Sequence, residues 1–272
     1  MVVFIQNKIS APDYIGVDYG ANLKRRKNMK RKVPTKLRKE VYSISTEWLE
    51  GLLQADDNAP PMKPMYSVLT NKAGKKNTVL IRPIKEKEID PVLEFLKQTL
   101  DAEYDYYDIV GARVFAELLA IKRRRMKDEY FFLGLNNGKL VGIANGRLMD
   151  DEVNISLHTL TFERQVNAGA ALFYSKCWYC FEVCGQEEFW ATFESYNGWV
   201  LAGLRMALPS YPWPDMQHEL GGAKIFYLTR ELWESSIKAE YLKQVSRSFF
   251  KPASKELIKK NDKLIIPKKL EI

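Results

Sequence analysis

The chain has 272 residues, 46% of them hydrophobic, with 14 Tyr, 13 Phe and 6 Trp, enough apolar material for a substantial core and too much for a wholly disordered polypeptide. Its formal net charge of +8 falls within residues 1–77; the rest balances, as a mildly acidic body followed by a lysine-rich end. That distribution argues against a nucleic-acid surface on the body, and no apolar run approaches the ~20 residues that span a bilayer. Met1-Val2-Val3-Phe4-Ile5 is too short for a signal-peptide core, so a cytoplasmic chain with no membrane partner is expected.

In chain order, residues 2–5 carry a weak strand signal, and Lys24-Arg25-Arg26-Lys27-Asn28-Met29-Lys30-Arg31-Lys32 begins a basic block that continues to Lys36, Arg38 and Lys39. Such a block repels itself and stays solvated. Residues 24–39 could bind nucleic acid or an acidic partner through counterion release, although no interleaved aromatics offer base stacking. Residues 45–53 predict a short amphipathic helix, with Thr46 as cap and Trp48, Leu49, Leu52 and Leu53 on one side. The prolines of 58–64 break regular structure, and the polar stretch 71–77 is expected to be a link. The expected organisation is therefore a basic extension over 1–77, a folded domain over 78–235, and a C-terminal helix with a Lys-rich, extended tail over 236–272.

Beyond residue 78 the periodicities become regular. Residues 79–83 predict a strand; Ile89, Val92, Leu93, Leu96 and Leu100 recur at helical spacing; and residues 109–125 form a second helix with Val114, Leu118 and Ile121 inward. Three strands follow over 130–135, 140–149 and 153–162, the first two joined by Asn136-Asn137-Gly138-Lys139, a strong hairpin signal. A helix over 169–183, a strand over 188–194, a helix over 197–208, an aromatic loop over 209–214 and a strand over 224–229 complete the order β-α-α-β-β-β-α-β-α-β. Three consecutive antiparallel strands exclude a doubly wound nucleotide fold, in which strand and helix alternate throughout.

The most informative stretch runs from Thr159 to Phe173. An apolar strand ends, a turn with small residues follows, and a helix begins. Helix starts expose unpaired N–H groups and favour negative charge, so this turn is a candidate phosphate site, although it lacks a P-loop lysine and a three-glycine dinucleotide turn. The cysteines Cys177, Cys180 and Cys184 share one helix face among aromatic neighbours, which predicts core packing ahead of metal binding. His158 alternates with Leu157 and, if it faces a cleft, is a titratable group; a locally satisfied histidine is the plainer expectation.

On these residues the chain resembles the GNAT family of acetyl-CoA-dependent N-acyltransferases over residues 78 to about 232. Ile81-Arg82-Pro83 and a helix carrying Val92 and Phe95 are similar to that family's first strand and helix. Arg164-Gln165-Val166-Asn167-Ala168-Gly169 approximates its cofactor turn, with Asn167 in place of the first glycine, and Ala170-Ala171-Leu172-Phe173 resembles the start of its third helix. The resemblance implies an α+β, three-layer fold: a mixed, mostly antiparallel central sheet flanked by helices. It also implies acetyl-CoA as cosubstrate, its pantetheine arm lying along Leu160-Thr161-Phe162, where one strand splays from the next.

By the same resemblance, main-chain N–H groups of Gln165, Asn167, Ala168, Gly169 and Ala170 would hold the pyrophosphate. Arg164 would add charge, and Asn197, otherwise a helix cap, would contact the pantetheine. A neutral primary amine, of a small molecule or a protein, would attack the thioester directly. The base would be Glu194 or, second, Glu163, each otherwise a solvated strand-end carboxylate. The family's tyrosine acid is missing from residues 201–206, leaving Tyr211 or Tyr196 nearby. A homodimer is a further partner to consider. The alternative expectation is a non-catalytic interaction protein with a GNAT-like body, whose basic arm engages nucleic acid or an acidic partner.

Overall fold

The computed structural model describes residues 59–70, 74, 76–126, 129–148, 151–166, 168–193, 195–200, 206–209, 224–239 and 248–270. The basic block 24–39, the helix expected over 45–53, Asn167, Glu194 and Tyr211 lie outside the described residues.

The strands are β1 (Met65–Thr70), β2 (Lys76–Pro83), β3 (Glu129–Asn136), β4 (Lys139–Leu148), β5 (Val153–Thr161), β6 (Glu188–Phe193), β7 (Lys224–Thr229) and β8 (Ser248–Pro252). The helices are α1 (Ile89–Leu96), α2 (Tyr107–Lys122), α3 (Ala168–Trp178), the single turn α4 (Tyr196–Trp199), α5 (Arg230–Leu232) and α6 (Lys255–Lys260). One sheet takes the strands in the order β7-β6-β5-β4-β3-β2-β1-β8. Every pairing is antiparallel except that of β5 with β6. This is the mixed, mostly antiparallel sheet flanked by helices that the resemblance implies.

Two apolar clusters sit on opposite faces of the sheet. One gathers Val92, Phe95, Leu96, Val114 and Leu118 of α1 and α2 against Leu80, Leu133, Ile143 and Leu160. The other gathers Leu172, Phe173 and Cys177 of α3 against Ile81, Phe132, Phe189 and Phe226. Leu100 departs from its expected inward position and is 44% exposed, because α1 tightens into a 3-10 turn at Lys97–Asp101 and the register rotates. Asn137 and Gly138 both take positive φ, 51° and 82°, as the two-residue turn between β3 and β4 requires.

The sheet extends past both expected boundaries. β1 lies ahead of residue 78 and pairs with β2 from Met65 opposite Ile81 to Thr70 opposite Lys76, while β8 pairs with β1 from the far end of the chain. Residues beyond Pro252 are not simply extended either. Ser254 caps α6 by accepting the Leu257 N–H at 3.2 Å, and Leu257, Leu264, Ile266 and Leu270 pack on the α1–α2 core. The segment is tied to the β3–β4 hairpin, because Ile265 donates to Gly138 O at 2.8 Å and Leu140 donates to Ile265 O at 2.9 Å. Lysine-rich composition masked this short apolar repeat.

Gly146 in β4 marks a close approach. A Cβ there would overlap the Tyr130 hydroxyl and come within 2.6 Å of Ile155 O. That hydroxyl donates to Asn154 Oδ1 at 2.8 Å, and Asn154 Nδ2 donates to Gln186 Oε1 at 3.1 Å, a buried chain that joins β3 to β5 and to the approach of β6. Gly146→Val is expected to cost about 1–3 kcal/mol by overpacking. Urea unfolding measures it, and an unchanged midpoint would show that β4 absorbs the side chain.

Candidate active site

β5 and β6 pair from Val153 opposite Glu188 to Ser156 opposite Ala191, and no further. The reason lies on the other edge of β5. Opposite β4, Gly146 pairs with Ser156 and Asn145 with His158, so Leu157 is an extra residue without a register partner. Such a bulge bends its strand, and here β5 turns away from β6. The Asn154–Gln186 chain holds the stem of the fork shut; beyond Ser156 the strands part.

Between the prongs lies a cleft of about 350 Å³ that reaches both faces of the sheet. Leu157 to Thr161 form one wall and Thr192 and Phe193 the other, with the start of α3 and the loop before α2 at its mouth. Two parting strand edges suit a narrow, extended ligand carrying amides, since main-chain groups there lack a neighbouring strand. Thr159 Oγ1, in the cleft wall, is buried without a hydrogen-bond partner among the described residues, which leaves a polar position for a ligand to meet.

At the mouth, Gln165 holds φ at 63°, in the left-handed region that a non-glycine residue adopts at some cost, and α3 begins three residues on. Gly169 is close-fitted, since a Cβ there would lie 3.1 Å from Thr161 Cγ2. Arg164, Gln165, Ala168, Gly169 and Ala170 all line the cleft. The helix start supplies N–H donors and a positive dipole end. The Arg164 guanidinium lies 5.2 Å from the centre of the Tyr104 ring, so its charge is held at the entrance.

The other expected site residues are distributed unevenly. Leu160 and Thr161 line the cleft; Tyr107 Oη donates to Thr161 O at 2.9 Å. Phe162 does not. Its ring turns into the α1–α2 core, edge-on to Phe95 at 5.0 Å, and its N–H is given to Val141 O at 2.9 Å. Glu163 lines the cleft but is paired with Lys139 at 2.9 Å. Asn197 lines it too, with its amide donating to Asp105 Oδ2 at 3.2 Å. The cap of that turn is Ser195, which accepts the Gly198 N–H at 3.0 Å, so the capping role weighed for Asn197 belongs two residues earlier. Tyr196 is 74% exposed.

Two groups lie at the base of the fork that sequence reasoning passed over. On the α2 side, Glu117 receives Asn145 Nδ2 at 2.5 Å and meets His158 Nε2 at 3.2 Å, with both acid and imidazole largely buried. Burial pushes the Glu117 carboxyl up, but its bond to His158, the imidazole's charge, the Asn145 amide and the Arg147 charge together bring it below the ordinary carboxylate range. Next to it, burial raises Glu129 to about 7 despite its 2.7 Å bond from Arg147. On the α3 side, Lys176 is 1% exposed and donates to His158 O at 2.9 Å and Asn145 O at 3.4 Å. His158 and Lys176 both line the cleft.

The cysteines take no part in it. Cys177 and Cys180 are buried in the α3-side core, where burial pushes both thiols far up, and the Cys184 thiol is raised to about 11. Among the described residues no group of His, Cys, Asp and Glu is arranged to hold a metal ion, and no helix is long and apolar enough to cross a membrane.

No protein-family model and no curated sequence matches the chain. By structure it is similar to acetyltransferases of the GNAT type. Mycobacterium smegmatis RimJ in complex with CoA-disulfide is 14% identical, covering 70% of this chain and all of that one, with a TM-score of 0.46. The PaiA N-acetyltransferase of Thermoplasma acidophilum, in complex with coenzyme A, is 10% identical over 56% of this chain and 98% of that one, with a TM-score of 0.40. The Campylobacter jejuni N-acetyltransferase PseH is 12% identical over the same shares, with a TM-score of 0.37.

Proposed function

We propose that this chain is an acyltransferase that moves an acyl group, acetyl in the simplest case, from a coenzyme A thioester to a primary amine. The observation that carries the proposal is the forked cleft between β5 and β6 with the start of α3 at its mouth. A CoA thioester has the matching shape: an anionic pyrophosphate, a narrow arm with two amides, and a reactive end. The pyrophosphate would accept from main-chain N–H groups around Gln165, Ala168, Gly169 and Ala170, with Arg164 adding charge. The arm would follow Leu160 and Thr161, and Asn197 would lie beside it. The thioester would then lie near the base of the fork.

The chemistry is a direct displacement. The amine nitrogen forms a bond to the thioester carbonyl carbon, the carbon–sulfur bond breaks, and the CoA thiolate leaves with the electron pair. A base takes the proton that the nitrogen loses. Among the described residues His158 is the best-supported acceptor, since it lines the cleft and Glu117 orients its ring. Glu163, engaged by Lys139, and Glu194, one residue past β6, are the other base candidates, and Tyr211 is the candidate acid for the thiolate. Substrates are amines; a basic arm over residues 24–39 would recruit an acidic partner or nucleic acid.

Calorimetric titration of the full chain with CoA and acetyl-CoA tests the reading. Saturable one-site binding is expected, weakened by Gly169→Asp, which sets a negative charge at the start of α3. Absence of binding at millimolar ligand would defeat the assignment.

A further inference from the structure

Lys176 has a place in the cleft that the reaction just described does not use. It lies eight residues into the chain from Ala168, roughly 12 Å along the helix axis at ~1.5 Å per residue, so its ammonium lies deep, far from the mouth. Both of its acceptors, His158 O and Asn145 O, belong to the register pair beside the Leu157 bulge, next to Ser156 where β5 and β6 rejoin. Lys176 therefore marks the innermost end of the fork, where the far end of a threaded ligand would stop.

Its ammonium is not ion-paired among the described residues. Among the described residues no carboxylate lies within 4.0 Å of Nζ. The nearby Glu117 carboxylate is taken up by Asn145 and His158. Two main-chain carbonyls use two of the three ammonium N–H donors. A neutral donor would satisfy them at a far lower desolvation cost than a buried cation. Burial outweighs the surrounding negative charge and brings this lysine down to about 7. A ligand carboxylate would supply both an acceptor for the third donor and the charge that favours the protonated lysine.

Accepting that the fork holds a CoA thioester, we infer that the acyl group it takes ends in a carboxylate, a dicarboxylic half-thioester of the succinyl type, whose free carboxylate accepts a hydrogen bond from Lys176 Nζ. Phe173, which also lines the cleft with Lys176 Nζ 5.8 Å from its ring centre, is suited to pack along the methylene spacer.

The test is calorimetric titration of the full chain with CoA, acetyl-CoA and succinyl-CoA. Succinyl-CoA is expected to bind at least about tenfold more tightly than acetyl-CoA, the scale of one charged hydrogen bond. Lys176→Met is expected to abolish that difference and Lys176→Arg to keep most of it. CoA, which has no acyl group, reports on whether each variant is folded. Equal affinity of the wild-type chain for the two thioesters, with CoA itself bound, would overturn the inference while leaving the acyltransferase reading intact. A preference for succinyl-CoA that survives in Lys176→Met would overturn it equally. If neither thioester nor CoA binds, the acyltransferase reading fails and this inference with it. The wild-type comparison decides alone should the methionine variant not fold.

Discussion

Arg82→Met is expected to destabilise the protein by about 3–5 kcal/mol, the usual consequence of removing one partner from a buried ion pair. Arg82 leaves β2 and grips Glu88 with both terminal nitrogens, each bond 2.7 Å, and the two side chains are only 5% and 4% exposed. Glu88 also accepts the Lys85 N–H at 3.0 Å, and Arg82 donates to Pro83 O at 3.0 Å. The pair thus fastens the end of β2 to the turn that launches α1. With arginine gone, the carboxylate stays buried against a single main-chain donor, and its desolvation is no longer offset.

The pH dependence follows from the same pair. Burial pushes the Glu88 carboxyl up, but the Arg82 bonds, the Lys85 N–H and the nearby positive charges more than compensate, and it lies below its ordinary value of 4.5. A carboxyl lowered by folding contributes stability that is fully present above its unfolded pKa and lost as pH falls through the folded one. The gap between wild type and variant should therefore be widest at neutral pH and shrink once pH drops below about 4. Denaturant unfolding at a series of pH values measures both. A gap under about 1 kcal/mol at pH 7 would mean that the pair is worth no more than a surface salt bridge.

His158→Ala is expected to lower kcat by about 10²–10⁴-fold, the range of a general base, with a much smaller change in KM for the CoA thioester. The imidazole lines the cleft, whereas Glu117 acts through it, so Glu117→Gln should give a smaller loss, confined to kcat with KM for the thioester unchanged. The amide keeps a partner for Asn145 but replaces the carboxylate that orients the ring at 3.2 Å. Glu117 of α2 meets the ring at 3.2 Å and is itself held by Asn145 of β4, while Lys176 of α3 donates to the main-chain O of His158. Steady-state kinetics on an active amine, with kcat and KM separated, decides the matter. A kcat within twofold of wild type would move the base to Glu163 or Glu194.

Much of the architecture is legible in residue patterns. Period-two and helical spacings locate the elements, Asn137-Gly138 marks the hairpin, and three strands in succession before the turn at Arg164 set this chain apart from a dinucleotide fold. The helix start that lines the cleft is visible for the same local reason, since small residues follow a strand end. β1 and β8 are less visible. Each lies toward one end of the chain's folded part, beside proline-rich or lysine-rich sequence, and is recognised through its pairing partner. Glu163 stands out as a strand-end carboxylate, but only the alignment of β4 with β5 brings Lys139 against it.

The chain's own order of residues determined most of the elements between β2 and β7, their succession and the small-residue start of α3, because each depends on interactions between near neighbours. Tertiary structure alone decided the base of the cleft. Glu117 and Lys176 look like polar positions on two amphipathic helices, and nothing local distinguishes them from solvated ones. They meet Asn145 and His158 only because α2 and α3 pack on opposite faces of the same two strands, beside a bulge that opens β5 from β6.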